Sequence, residues 1–339
     1  MRRAPILALL TSVIAAGPIR AEIYDLPPDG FDVIGALATI TARHEDTLVD
    51  IARRHGLGYE DIVRANPDVN VWLPGEGTEI ILPTRFVLPG GERRGAILNL
   101  AEYRLYYFPT PEPGEPATVM TYPISIGRMD WETPLGLTKV ISKVRNPSWY
   151  VPQSVLDEHA ANGDPLPRIV PPGPDNPLGK FAMRLGLPGY LIHGTNRPAG
   201  VGMRVTHGCV RMFPEDIEYL FGQIGIDTPV RIVNEPVKMG WDGDQLVIEV
   251  HPVLEVTLPD EFAPVAEEGA TAGPAESDDP DVAAKDPLTY VTEKFIAVTG
   301  ERAGQLDWDL VEQIVGRSDG IPMIVGWGIK NAATSAASE

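Results

Sequence analysis

Glycine and proline, 34 of each in 339 residues, cut this chain into short pieces. Proline removes a backbone donor and glycine weakens helix interiors, so few segments between them can sustain a long helix. From Gly95 onward the pieces read as strands. Residues 96–100 and 104–108 alternate around a tight turn, the pattern of a hairpin. Residues 119–126, 139–144, 190–193 and 230–233 are further strand candidates, and the punctuation is densest over 165–179. One helix stands out. Pro214 suits a first helical position, Glu215 and Asp216 suit the helix dipole, and Ile217, Leu220, Phe221 and Ile224 share a face. The expected architecture is a mainly β domain over 95–234 with one flanking helix.

A smaller unit precedes it, after a weakly patterned stretch at 22–35. Asp46 or Thr47 can cap a helix in which Leu48, Ile51, Ala52 and His55 fall on one face, and Gly56 and Gly58 stop it. A second short helix over 59–65 ends at Asn66-Pro67. With strands at 37–41 and 78–82, the order is strand, helix, helix, strand: a small α+β module spanning 37–84. Residues 256–286 are rich in Pro, Ala, Glu and Asp and read as an acidic linker. Apolar content returns in a C-terminal extension over 288–330, with a helix expected at 308–315.

Arg2 and Arg3 followed by an apolar run over 6–16 read as a secretory signal peptide over 1–21, with cleavage after Ala21 or Ala16. The run is shorter than the roughly 20 apolar residues a spanning helix needs. An exported chain, periplasmic on this reading, could form disulfides, yet it holds one cysteine, so a core must stabilise it. The net charge is −19, and from Glu255 onward 17 acidic residues face 5 basic ones. Without a basic stripe, nucleic acid is not an expected partner.

The lone Cys209 has His207 two residues before it and His193 sixteen before it. A thiol near pKa 8.5 needs a neighbouring base to become a nucleophile. In an extended segment His207 would share a face with Cys209, whereas His193 ends a strand that could pack alongside. Spacing does not choose between them. Gly208 permits unusual backbone angles, and its amide with that of Cys209 could donate to an oxyanion. Arg211, and more weakly Arg204, could pair with a substrate carboxylate. Zinc on His193, His207 and Cys209 lacks a fourth ligand, so no metal and no cofactor are expected.

His193-Gly194-Thr195, then Gly202-Met203-Arg204-Val205-Thr206-His207-Gly208-Cys209-Val210-Arg211, resembles the signature of the L,D-transpeptidases of bacterial cell walls, the YkuD family. Thr206 stands where Ser is commoner and keeps the hydroxyl. The segment 173–179 fits the same pattern. The resemblance implies a β-sandwich-like catalytic domain, Cys209 as nucleophile, His193 as base held by the carbonyl of Gly194, His207 and Gly208 shaping the pocket, and Arg211, Arg204 and Thr206 near substrate. The implied substrate is a peptidoglycan stem tetrapeptide, acylated at its third residue with loss of the terminal D-alanine. The acceptor would be another stem or a lysine of an outer-membrane lipoprotein; water would make the enzyme a carboxypeptidase. The module at 37–84 is similar to a LysM domain at Asp46-Thr47-Leu48, Ile51-Ala52, Asn66, Gly77, Ile80 and Leu82-Pro83, although Glu45 replaces the usual Gly. That likeness implies affinity for glycan strands. A wall-binding protein without catalysis is the rival reading, and replacement of Cys209 separates the two.

Overall fold

The computed structural model describes residues 22–128, 131, 133–254, 286–300 and 302–329. The expected signal peptide, and the acidic linker up to residue 285, lie outside the described residues.

The stretch at 22–35, unpatterned in sequence, contributes strands β1 (Glu22–Asp25) and β2 (Val33–Gly35). Then come β3 (Ala38–Thr41), α1 (Leu48–Arg54), α2 (Tyr59–Ala65), β4 (Glu79–Leu82) and β5 (Arg85–Val87). Thr47 caps α1 by accepting the amide of Asp50 at 3.0 Å. The helix buries Leu48, Ile51 and Ala52. At the head of α2 the Asp61 carboxylate reaches back to the Gly58 amide at 2.8 Å. β3 pairs with β4, and β2 with β5, both antiparallel. Asn66 substitutes for backbone between them: its amide group bonds the carbonyls of Ile62 and Ile81 and accepts the amide of Ile81. A buried polar side chain with its partners satisfied fixes one arrangement of the helix end against β4.

The β-rich region is built from β6 (Gly95–Asn99), β7 (Arg104–Phe108), β8 (Thr118–Pro123), β9 (Ile126–Gly127), β10 (Gly136–Arg145), β11 (Trp149–Tyr150), α3 (Gln153–Ala161), β12 (Ile169–Val170), β13 (Phe181–Leu185), β14 (Leu191–His193), β15 (Arg204–Thr206), β16 (Val210–Arg211), α4 (Pro214–Gln223) and β17 (Pro229–Val233). Nine strands form one mixed, curled sheet in the order β1-β8-β7-β6-β17-β10-β13-β14-β16. The expected strand at 119–126 is two, β8 and β9, parted at Ile124 and Ser125. β6 and β7 are buried on both faces. Alternation divides their side chains: Ala96, Leu98, Leu105 and Tyr107 enter a core with α4, while Ile97, Tyr106 and Phe108 enter a second core with Leu48, Ile51, Ile62 and Ile80. The N-terminal module therefore completes a core of the nine-stranded sheet, and β1 adds a strand to its edge beside β8. Arg53 of α1 also pairs bidentately with Glu215 of α4, at 2.7 and 2.8 Å.

The C-terminal extension does not stand apart either. β18 (Val237–Asp242) and β19 (Gln245–Val250) form a sheet with β20 (Gly304–Leu306) and β21 (Met323–Gly328), in the order β18-β19-β21-β20. Two helices, α5 (Pro287–Thr299) and α6 (Trp308–Arg317), supply Val291, Val311 and Ile314 to its core. Asp307 caps α6 by accepting the amide of Leu310. Lys238, fully buried, pairs with Glu102 of the β6–β7 turn and with Glu249 at 2.9 Å, and Glu249 also accepts the amide of Val87. One ionic cluster thus joins all three regions.

Candidate active site

β14 and β16 lie side by side and parallel, with Ile192 opposite Val210 and His193 opposite Arg211. The amide of Met212 donates to the carbonyl of His193 at 2.9 Å. Cys209 immediately precedes β16, so this pairing carries it to His193 across sixteen residues of sequence. Both line a cleft of about 1260 Å³, together with Thr206, His207 and Arg211.

His193 is buried, and its Nδ1 lies 2.6 Å from the carbonyl oxygen of Gly194. A carbonyl can only accept, so Nδ1 carries the proton and Nε2 holds the lone pair. Burial, and then the charge of Arg211, push the imidazole down to about 3. The Cys209 thiol donates to the carbonyl of Gly189 at 3.6 Å. Burial pushes it up, against weaker opposing effects of a backbone bond at Leu191 and of Arg211. The thiol and the imidazole that line this cleft are therefore both neutral at rest.

The loop that presents the thiol is held from inside. Thr206 Oγ donates to the carbonyl of Cys209 at 2.6 Å, closing residues 206–209 into a turn. Gly208 adopts φ +91°, a conformation a side chain would strain. Its carbonyl accepts from the Thr133 hydroxyl at 2.8 Å, and that hydroxyl in turn accepts the Gly127 amide at 3.1 Å. His207 has partners of its own on the cleft wall. Its Nε2 stands 2.7 Å from Glu158 of α3 and 3.2 Å from the Arg128 guanidinium, and Trp131 packs edge-on at 5.1 Å. Arg128 and then His207 hold the Glu158 carboxyl below the usual carboxylate range.

A family model for the L,D-transpeptidase catalytic domain, YkuD, matches residues 93–232. The Escherichia coli K12 protein named "Probable L,D-transpeptidase ErfK/SrfK" is 38% identical over 258 residues, covering 75% of this chain and 82% of that one. The same organism's "Probable L,D-transpeptidase YbiS" is 40% identical, covering 70% of this chain and 77% of that one. This chain belongs to the YkuD L,D-transpeptidase family. The solved catalytic domain of the Enterococcus faecium L,D-transpeptidase shares 21% identity over 42% of this chain and 99% of that one, with a TM-score of 0.31.

Within this YkuD domain the expected site residues do not all converge. His193, Thr206, His207, Cys209 and Arg211 meet at the cleft, and Gly194 and Gly208 support them through backbone. Arg204 does not line it. On β15, paired with β9, its Nε donates to the carbonyl of Gly127 at 3.0 Å. That bond ties Arg204 to the loop at Gly127. Sequence reasoning missed Glu158 and Arg128, whose contact with His207 depends on how the 147–179 excursion folds back. It also missed that Ser125 clamps the site: its backbone exchanges two bonds with Arg211 and its hydroxyl donates to Gly200.

Proposed function

We propose that this chain is an exported peptidoglycan L,D-transpeptidase that works through a thioester on Cys209. The observation that supports the reading is the parallel pairing of β14 with β16, by which His193, its Nδ1 held by the carbonyl of Gly194, and the segment carrying the sole cysteine line one cleft. Nε2 of His193 takes the thiol proton as sulfur attacks the carbonyl carbon at the L-centre of the third stem residue. The amides of Gly208 and Cys209 receive the developing oxyanion. The carbon–nitrogen bond then breaks, the imidazolium returns its proton to the departing D-alanine amine, and the acyl group stays on sulfur. An acceptor amine loses a proton to His193, attacks the thioester and releases the thiolate, which is reprotonated.

A second stem as acceptor gives a 3→3 crosslink. A lysine of an outer-membrane lipoprotein gives an anchored protein, and water gives a trimmed stem. The N-terminal module supports retention at the wall as a LysM-like glycan binder, and the leading Arg2-Arg3 and apolar run support export to the periplasm. The test is intact-mass and muropeptide mass spectrometry with tetrapeptide donors. Wild type should gain an acyl adduct and release D-alanine; Cys209→Ala should do neither while staying folded. Turnover retained in that variant would overturn the cysteine mechanism.

A further inference from the structure

The C-terminal sheet turns one face to α5 and α6, and strand alternation gives its other face a separate set of residues. Trp241, Leu246 and Leu306 enter the helix-covered core, so their chain neighbours Asp242, Gln245 and Gln305 lie on the opposite face. The N-terminal module packs on part of that face: Asp32 lies against Gly240, the Val87 amide bonds Glu249, and Arg85 pairs with Asp242 at 2.7 Å. At the rim of this cover runs one row across all four strands, Asp242, Gln245, Trp327 and Gln305, each directly opposite the next. Residues so paired in antiparallel strands share a face. Trp327 is 56% exposed, and Gln305 is exposed as well. Ile329, whose amide continues the pairing by donating to the carbonyl of Ala303, is exposed two residues further along.

The chemistry of the row selects what can cover the indole. An aromatic face carries partial negative charge and favours C–H groups laid against it. On each neighbouring strand, about 4.8 Å away, a glutamine amide offers both donors and an acceptor. Neither of these side-chain amides is bonded among the described residues. The charges beside them are already paired, Arg85 with Asp242 and Arg302 with Asp244 at 2.6 Å, which leaves the row without a net charge. A stacking surface flanked by neutral groups that both donate and accept fits a sugar ring, whose axial hydrogens form a face and whose hydroxyls surround its edge. An apolar peptide would instead desolvate the two amides without bonding them. Ile329 adds an apolar surface beside the stack, suited to the methyl of an acetamido group. We propose that Gln245, Trp327 and Gln305 form a binding row for an N-acetylated saccharide on the C-terminal extension. The row shares no residue with the lining of the Cys209 cleft and lies outside the LysM-like module. On a polymeric glycan it would supply a second point of attachment, which raises the effective concentration at the first.

The full-length protein, labelled with fluorotryptophan, should be titrated with chitotetraose in its N-acetylated and its de-N-acetylated forms and followed by fluorine NMR. The Trp327 signal, assigned by its loss in Trp327→Phe, should shift to saturation with the N-acetylated sugar. It should stay in place with the other, which is cationic and lacks the methyl. Half-saturation in Gln305→Ala should need about 5-fold more sugar, the worth of one neutral hydrogen bond. Trp72, exposed in the N-terminal module, gives its own signal for binding there, so the two places are read apart. A Trp327 signal that neither sugar moves, or that both move alike, would overturn the proposal, as would an unchanged half-saturation in Gln305→Ala. No turnover enters these readings, so they judge the row independently of the transpeptidase reading.

Discussion

Burial sets the charge states of Cys209 and His193 at rest, and those states decide how the site should respond to pH. An imidazole pushed down to about 3 is neutral throughout the neutral range, and a thiol pushed above its ordinary value stays protonated there. Alkylation of Cys209 by iodoacetamide should therefore climb on one alkaline limb, with no plateau between about pH 5 and 7, where a preformed thiolate–imidazolium pair would react. Intact-mass rates across pH measure this. The two histidines should separate sharply. His193→Ala should lower turnover by about 10²- to 10⁴-fold, the usual worth of a positioned base. His207→Asn should cost much less, because His207 bonds Glu158 and Arg128 and acts on the cleft wall. If the order is reversed, His207 is the base. The sequence holds every one of these residues, and the resemblance separates the roles of the two histidines. The Glu158–His207–Arg128 contact stays hidden there, because α3 reaches His207 only after a long excursion.

Helix α4 shows how an element can carry a cost for its position. Its apolar face is legible in the spacing of Ile217, Leu220 and Phe221, all buried as expected. Asp216 also suits a first turn by sequence, since a carboxylate there meets the positive end of the helix dipole. In the fold the same residue is buried, and burial, followed by Glu215, pushes its carboxyl up to about 8. The unfolded carboxyl titrates near 4. Between about pH 4 and 8 the folded state thus holds more protons than the unfolded state, and stability falls as pH rises. Asp216→Asn should raise the melting temperature at pH 8–9 and change it little near pH 4, as read by calorimetry. A gain equal at both pH values would refute the assignment. The helix dipole is visible in a sequence, but the desolvation that opposes it depends on what packs over the side chain.

At the scale of the molecule the three regions are interlocked by groups whose partners lie far away in sequence. The first turn of α2 docks on the active-site loop: the amides of Tyr59 and Glu60 donate to the carbonyls of Val201 and Gly202 at 2.9 and 3.3 Å. Gly202 has φ +87°, and a methyl there would stand 2.5 Å from the Cα of Gly58. Gly202→Ala should cost about 1–3 kcal/mol of stability by strain and lost docking, measured by denaturant unfolding. A variant as stable as wild type would show that the contact is slack. Removing residues 22–90 would bare Ile97, Tyr106, Phe108 and Val119, so a truncated chain would not report glycan binding alone. The sequence by itself determined the periodic elements: α2 at 59–65, the β6–β7 hairpin, the apolar face of α4, and the nucleophile motif, because these follow from spacing and residue type over short distances. It did not determine that β1 and β2 exist, that β18 and β19 share a sheet with the C-terminal strands, or that one sheet feeds two cores. Those depend on partners that short-range pattern does not encode, because strand pairing and burial are completed only when distant segments meet.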